Sequence, residues 1–418
     1  MSTKHGGFVS FAARATVWAL MLASCSDVGS PVSSSDPAGS NTGGARSVVG
    51  VTNGARADAG ATGITLSGAG APGGTRNAGG TSGAGATSGG SGTAGVSGAN
   101  GADCLPRVSA DLVEYIRAAP YSKAGTTMQI WETQSSKWQA ARSAALAWAK
   151  GDCSLFRASA VTMGYEAILL TDPKDLRSYW VLRDISSQFQ GVFAFREPKE
   201  AATTRPLVID SPHFGFDFQD DRAIRLFRDT GAVAFLQNSA DRCSLPSCSG
   251  CSLVQNYSCE GECMRDSDVV HSVRNGYFAI YDGLEAARDD WHFEYHGASV
   301  SNNIRGCTGA AHISQASNVQ LPAEEDDHTY PNRFWTALKK RVGDACACYH
   351  QRQEGCKLSG LTSTAGRRTN HDGKLLAEAE LACTVMPSSL SKRFIHFEAY
   401  NVDPLHVTSA LLEAVPLP

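Results

Sequence analysis

A long N-terminal stretch of this sequence lacks the side chains that build a hydrophobic core. Residues 26–102 contain no Phe, Tyr, Trp, Met or Cys, and consist mainly of Gly, Ala, Ser, Thr, Asn and Val. Such a segment cannot bury enough apolar surface to offset the entropy that is lost on ordering. We therefore expect residues 26–103 to be a disordered linker that holds a folded region away from a membrane.

The sequence also lacks an excess of basic residues and the nucleophile elbow of serine hydrolases. Its formal net charge is −4 at pH 7, and without a basic surface we expect no nucleic-acid partner. No G-x-S-x-G pattern occurs in the globular part, which argues against a serine hydrolase.

Residues 1–25 have features of an export signal but lack the length of a membrane span. The apolar stretch 17–23 is too short to cross a bilayer, and Leu-Ala-Ser-Cys follows, ending at Cys25. These four residues resemble the lipobox of bacterial lipoproteins. The resemblance implies cleavage before Cys25, acylation of its thiol, as by palmitate, and a lipid anchor in the bacterial cell envelope, at the outer membrane. The alternative is an ordinary secreted protein in which this cysteine has no role.

Cysteine usage is typical of an exported protein. Of the thirteen cysteines, twelve follow Cys25 and lie between Cys104 and Cys383. An even number in an exported chain predicts disulfides in an oxidising, extracytoplasmic compartment. Five of them include a CxxC pattern that would suit a structural zinc site, although we favour a cross-linked loop: Cys243, Cys248, Cys251, Cys259 and Cys263.

The remaining sequence is long enough for one large α/β domain or for a domain with a cap. We divide it into a helical and strand subdomain or cap, 104–196, and an α/β domain, 197–418. In the latter, a strand at 207–210, a helix at 220–229 and a strand at Ala232–Gln237 form a βαβ unit. The expected fold is therefore a disulfide-rich α/β fold with a mostly parallel or mixed sheet and helices on both faces. Ligands are expected beyond the carboxyl ends of the strands.

The rest of the α/β domain continues this pattern. A helix is predicted at 267–287, with Ser267 or Asp268 as its N-cap, followed by a strand at 291–296. A helix at 332–342 and a strand at 394–397 complete the domain.

Three apolar runs in this domain end in ionisable side chains: 206–217 (PLVIDSPHFGFD), Trp291–Gly297 (WHFEYHG) and 393–399 (RFIHFEA). His213 follows the first strand, where the loop of an open sheet faces a crevice. A neutral imidazole is the commonest metal ligand in proteins. Asp217, four residues later, would reach the same ion if the loop folds back.

Asp217 and Asp220 compete for two roles, because either side chain is placed to cap the following helix. We favour Asp220 as the cap and Asp217 as the ligand. In the second run, alternation places His292, Glu294 and His296 on one face, with His296 at the strand's carboxyl end. The alternative is an edge strand whose polar face is solvated.

Glu398 directly follows the strand at 394–397. Its carboxylate emerges at the same rim if this strand runs parallel to the others. A carboxylate near an activated water is able to take its proton and pass it to a leaving amine.

Placed in this order on a βαβ framework, four side chains resemble the site of the zinc carboxypeptidase superfamily, including its poly-γ-glutamate hydrolase and N-formylglutamate amidohydrolase-like branches: His213, Asp217, His296 and Glu398. The resemblance covers about residues 206–403. It implies that the first three hold zinc and that Glu398 is the general base. In these families a guanidinium binds the substrate, which implies three candidates: Arg242, Arg367 and Arg368.

One spacing departs from that family, since the usual His-x-x-Glu is replaced by His-x-x-x-Asp. His271 and His312 are alternative ligands, although we favour structural roles for both. The sequence thus predicts a surface-tethered zinc hydrolase that cleaves an amide beside a free carboxylate, in a peptide or a γ-glutamyl polymer. The alternative is a catalytically inactive extracellular binding module on the same fold.

Overall fold

Strands and helices alternate through most of the folded region. The computed structural model describes residues 104–122, 128–201, 203–213, 217, 220–245, 265–299, 302–320, 322, 327–353, 356, 360, 363–370, 381–385 and 387–418. The predicted signal peptide, Cys25 and the linker 26–103 lie outside the described residues.

The strands of the described region are short, apolar and rich in β-branched and aromatic residues, which suit a pleated, buried surface. In chain order they are β1 (Arg107–Ser109), β2 (Tyr165–Thr171), β3 (Ser178–Asp184), β4 (Val192–Arg196), β5 (Arg205–Ser211), β6 (Ala232–Gln237), β7 (Trp291–Gly297), β8 (Ala310–Ser314), β9 (Ala347–Tyr349) and β10 (Phe394–Tyr400).

The longer helices carry recognisable end signals. In the helix Ser136–Lys150, for example, the Ser135 side chain accepts from the Trp138 N–H, and Gly151 ends the helix with a φ of 69°. In chain order the helices are α1 (Leu112–Arg117), α2 (Ser136–Lys150), α3 (Cys153–Met163), α4 (Pro198–Ala201), α5 (Asp220–Thr230), α6 (Gly276–Ala287), α7 (Tyr330–Val342), α8 (Thr364–Asn370), α9 (Leu381–Thr384) and α10 (Pro404–Ala414).

Four parallel strands form the centre of a single mixed sheet. The strand order is β1-β2-β3-β4-β6-β5-β7-β10-β8-β9, and β6, β5, β7 and β10 run parallel. The segment β5–α5–β6 is the predicted βαβ unit, and β10 is parallel to β7 as predicted. Strands β2 to β4 extend the same sheet through antiparallel pairs, so residues before 197 contribute to it directly.

Different helices cover the two faces of the sheet. In β4, Phe193 and Phe195 pack into one core with α2, α3 and α6. Val192 and Ala194, which point the other way, belong to a second core with α1, α5, α7 and α10. The predicted α/β fold with a mixed sheet and helices on both faces is therefore confirmed.

The helix predicted at 267–287 is wrong in its first half. A short 3-10 turn, Val269–His271, is followed by extended backbone, and α6 begins only at Gly276. The cap is Asn275, whose side chain accepts from the Phe278 N–H. The predicted caps are used elsewhere, because Ser267 donates to the Arg242 carbonyl and Asp268 binds charged partners.

Disulfides join three described cysteine pairs: Cys104–Cys153, Cys307–Cys346 and Cys348–Cys356. They indicate an oxidising, extracytoplasmic compartment, as predicted. Cys243 is also disulfide-bonded and so is not a free thiolate for zinc; the other four members of its group lie outside the described residues. No helix within the described ranges combines the length and apolar character of a membrane span.

Candidate metal centre

The carboxyl ends of β5, β7 and β10 meet at one edge of the sheet. His213 follows β5, His296 is the penultimate residue of β7, and Glu398 of β10 pairs in register with His296. Paired residues of neighbouring strands project from the same face. The structure therefore brings these three predicted site residues to the same rim.

His213, Asp217 and His296 direct three ligand atoms towards one point. The two histidine Nδ1 atoms lie 3.2 Å apart, and each lies 3.2 Å from Asp217 Oδ2. All three side chains are buried. In a tetrahedral zinc site with bonds of about 2.0 Å, neighbouring ligand atoms are about 3.3 Å apart. The spacing of the three atoms therefore fits a small divalent ion.

Carboxylates hold the second ring nitrogen of each histidine. His213 Nε2 lies 2.9 Å from Asp268 Oδ1, and His296 Nε2 lies 3.1 Å from Glu294 Oε1. Since an ionised carboxylate only accepts, this network assigns a hydrogen to each Nε2. A neutral ring then presents its Nδ1 lone pair to Asp217 Oδ2, whereas a protonated ring donates a hydrogen bond from Nδ1 to that oxygen. Carboxylate–histidine pairs of this kind also orient metal ligands, so the donor set fits a metal.

Asp217 is a buried anion. Burial raises the pKa of a carboxyl group, but the charges and hydrogen bonds of His213 and His296 outweigh burial and hold the pKa of Asp217 well below its usual range. Hydrogen bonds also change the pKa of His296. Although burial lowers the pKa of His296, its bonds to Asp217 and Glu294 raise it overall. The cluster therefore favours a proton or a cation between His213 Nδ1, His296 Nδ1 and Asp217 Oδ2.

Close backbone packing fixes the loop that carries Asp217. A Cβ built on Gly297 would overlap the Asp217 backbone oxygen. The Asp217 N–H also donates to the His213 carbonyl over 3.1 Å. Glycine at the end of β7 therefore lets the β5 loop fold back onto the sheet, which is the condition that the predicted role of Asp217 required.

Asp268 is a fully buried anion shared by three cationic or ionisable groups. It contacts His213, receives two hydrogen bonds from Arg242 at 2.8 and 3.2 Å, and lies 3.0 Å from His271 Nδ1. Burial alone would raise the pKa of Asp268, but His271, Arg242 and His213 hold it well below its usual range. Asp268 therefore ties the side chain of Arg242 to the ligand His213.

Glu398 lies beside the triad of His213, Asp217 and His296, and a histidine of its own strand holds its side chain. His396 Nε2 lies 3.1 Å from Glu398 Oε1. Burial opposes ionisation, yet the bond to His396 and the charges of His296 and His396 lower the pKa of Glu398. Its side chain remains 17% exposed, which distinguishes it from the more deeply buried ligand atoms and leaves it accessible from outside the cluster.

The three predicted arginines lie in different places. Arg242 stands at the cluster, and burial lowers its pKa less than Asp268 and Asp217 raise it. Arg368 is fully buried and donates to Asp282 of α6 over 2.6 Å. Arg367 donates to the Ala382 carbonyl over 3.2 Å. Among the described contacts, Arg242 thus joins the predicted ligands through Asp268, whereas Arg368 pairs within the helical layer.

The two alternative histidine ligands have other surroundings. His271 Nδ1 lies 3.0 Å from Asp268 Oδ1, the same oxygen that His213 Nε2 contacts. His312 lies on β8 opposite Glu398 and hydrogen-bonds the Asn302 carbonyl through Nε2 at 2.9 Å. Neither belongs to the group formed by His213, Asp217 and His296.

Sequence reasoning missed the roles that three residues have in organising this site: Asp268, Glu294 and His396. The period-two pattern of the strands places Glu294 on the face of His296, and His396 on the face of Glu398, so that pattern was a usable signal. Asp268 precedes a 3-10 turn and offers no such periodicity.

The alternative of an edge strand with a solvated face is wrong for β7. This strand lies between β5 and β10, and both His292 and Glu294 are buried. His292 is held between Asp210, at 3.2 Å, and Glu285, at 2.9 Å. Burial lowers the pKa of His292, but these two carboxylates raise it to about 9. Internal ion pairing therefore replaces solvent on this face.

The fold and the cluster define an α/β protein with a buried histidine–carboxylate site that could bind a metal at the carboxyl edge of its sheet. No protein-family model, curated protein or solved structure matches the chain.

Proposed function

We propose that this protein is a zinc-dependent hydrolase that cleaves an amide bond next to a free carboxylate. The observation that carries the proposal is the mutual 3.2 Å spacing of His213 Nδ1, His296 Nδ1 and Asp217 Oδ2. Two nitrogens and one oxygen, with one position left for water, are a donor set used by catalytic zinc sites. The same residues would hold the ion here.

A zinc ion bound there would supply Lewis-acid polarisation of the substrate carbonyl and would acidify the attacking water. Glu398 would take the water proton and return it to the leaving amine. Its position supports this role, because it lies in register with His296 and keeps part of its side chain exposed. Asp268 and Glu294 would keep the ligand imidazoles in the required tautomer.

Arg242 is the preferred group for binding the substrate carboxylate. It is the predicted arginine that the structure ties to the ligands, and Asp268 fixes one side of its guanidinium. A planar fork suits a carboxylate. The expected substrates are therefore peptides or γ-glutamyl chains with a free carboxylate near the scissile amide.

The proposed location is the bacterial cell envelope, with a lipid anchor at Cys25. The disulfides support an oxidising compartment for the folded region. Replacement of Cys25 by Ser is expected to move the protein from membrane fractions to soluble fractions of the producing cells. Unchanged partitioning would count against the anchor.

The function is tested by zinc content and turnover of the purified chain. Wild type is expected to hold about one zinc per chain and to hydrolyse acyl-dipeptides or γ-glutamyl oligomers with a free carboxylate, but not their amidated forms. His213→Ala and His296→Ala are expected to lose both properties. His406→Ala, in α10, is the histidine control and should retain both.

Glu398→Gln separates metal binding from catalysis. The amide keeps the size of the side chain but cannot take a proton, so zinc should stay bound while kcat falls by about 100-fold or more. Unchanged turnover in this variant would exclude Glu398 as the base. Zinc binding by wild type without hydrolysis of any of these substrates would instead favour the inactive binding module.

A further inference from the structure

One buried carboxylate oxygen contacts two imidazoles at once. Glu294 Oε1 lies 3.1 Å from His296 Nε2 and 2.8 Å from His396 Nδ1. The other oxygen, Oε2, accepts from the Ser363 hydroxyl over 3.0 Å. Glu294 is fully buried, and these donors satisfy both of its oxygens. Its position and orientation are thus defined from three sides.

His396 continues this chain of contacts to Glu398. Its Nδ1 is bound to Glu294 and its Nε2 lies 3.1 Å from Glu398 Oε1. The backbone at Gly360 closes over the ring, because a Cβ there would overlap the imidazole of His396. The ring therefore has a fixed plane, and both of its nitrogens are in use.

The contact with His396 occupies only one oxygen of Glu398. Within the described part of the chain, Glu398 Oε2 makes no hydrogen bond. A carboxylate held through one oxygen presents the other in a defined direction, which is what a base needs in order to meet a water molecule at hydrogen-bond distance. The order of contacts is thus His296, Glu294, His396 and Glu398.

We infer that Glu294 and His396 are positioning residues that join a metal ligand to the general base. Glu294 orients the imidazole of His296, and through His396 it also fixes the direction of Glu398. The inference rests on the proposed function. It adds that ligand and base are not placed independently, because one carboxylate sets the geometry of both.

The contacts of His396 allow its two nitrogens to be tested separately. In His396→Gln the amide nitrogen replaces Nε2 and still donates to Glu398. In His396→Asn the amide nitrogen replaces Nδ1 and reaches Glu294 instead, while His396→Phe keeps the ring volume without either bond. All three leave the triad of His213, Asp217 and His296 unchanged in composition.

The first measurement compares kcat and KM of these variants at equal zinc content. We expect kcat to fall by about 10–100-fold in the Asn and Phe variants, with little change in KM. This is the size of effect seen when residues that hydrogen-bond to metal ligands are replaced. His396→Gln keeps the contact with Glu398 but loses the contact with Glu294, so it should recover only part of kcat. A purely structural role would lower stability without this order of activities, and wild-type kcat in the Asn variant would overturn the inference.

The second measurement needs no substrate and uses zinc alone as the probe. Competition with a chelator should show that Glu294→Gln weakens zinc binding by about 10–100-fold. The matched control is Glu285→Gln, because the side chain of Glu285 on α6 is also buried but binds His292 and Arg393. Equal zinc affinity in wild type and Glu294→Gln would overturn the role of Glu294.

The two measurements distinguish failure of this inference from failure of the proposed function. If wild type binds zinc but hydrolyses no substrate, the proposed hydrolase is wrong, and loss of affinity in Glu294→Gln still supports the positioning of His296. If wild type is active and neither Glu294→Gln nor His396→Asn differs from it, the positioning role is wrong while the hydrolase stands.

Discussion

The Nδ1 atoms of His213 and His296 lie 3.2 Å apart, and both face the same oxygen of Asp217. Two ring nitrogens and a carboxylate oxygen at this separation repel one another unless a proton or a cation lies among them. The protein maintains the arrangement by binding the opposite nitrogen of each ring to a buried carboxylate. The following predictions concern the parts that hold this geometry in place.

Gly297→Ala is expected to weaken zinc binding by about 10–100-fold, because the added methyl displaces the backbone that carries Asp217. The affinity is measured by chelator competition. Gly306→Ala is the control, since a Cβ there meets nothing within 4 Å although its φ of +89° makes the substitution strained. Equal zinc affinity in all three proteins would show that the loop does not depend on Gly297.

Asp268→Asn should also weaken zinc binding, by about 10–100-fold, because an amide no longer fixes the tautomer of His213. Asp266→Asn is the matched control. Asp266 lies in the same segment and is equally buried, but it pairs with Arg274 and Ser272. Both variants should lose stability in denaturant, whereas only Asp268→Asn should lose zinc affinity. Similar zinc affinities in the two variants would contradict this role.

His292 should make the metal-free protein less stable as the pH rises. Its pKa of about 9 in the folded state exceeds the ordinary value of 6.5. The folded state therefore holds the proton more tightly, and the contribution is complete below pH 6.5 and lost as the pH rises through 9. Between pH 6 and 10 the advantage of wild type over His292→Gln in unfolding free energy should shrink by about 3 kcal/mol. A constant difference in urea unfolding would contradict the paired state of His292.

The disulfide Cys104–Cys153 should stabilise the fold more than Cys348–Cys356 does. Its partners are 49 residues apart, against 8 for the shorter loop. From the loop-closure entropy, replacing both cysteines by Ala should lower the free energy of unfolding by about 4 kcal/mol for the long loop and by about 2.5 kcal/mol for the short one. Urea unfolding of the two double variants checks the order. A larger loss for the short loop would show that chain entropy does not decide these contributions.

Much of the fold could be predicted because its central strands follow clear local patterns. The strand Ala232–Gln237 has the predicted bounds, and the helix predicted at 220–229 extends only one residue further, to Thr230. The three-residue β9 was missed, because three residues carry no periodicity. The start of α6 was misplaced because Ser267 and Asp268 have the composition of caps but serve other partners.

The candidate site was predictable only where a side chain follows a strand. His213 and His296 lie at strand ends, and a parallel sheet brings such ends together. Asp268 reaches the site only through tertiary contacts, and its segment has no periodic pattern of apolar residues that would predict this. Alternation groups Glu294 with His296 and His396 with Glu398, but the same alternation is equally typical of a solvated face. Only the position of β7 in the middle of the sheet shows that this face is buried.

The central claim is most directly tested by zinc K-edge X-ray absorption on the purified, zinc-loaded chain. We predict four nitrogen or oxygen neighbours at about 2.0 Å, with outer-shell scattering from two imidazoles, whereas His296→Ala should retain no zinc in this coordination. Sulfur neighbours at about 2.3 Å would place the metal on cysteines instead. That result, or a spectrum unchanged in His296→Ala, would contradict a metal centre at His213, Asp217 and His296.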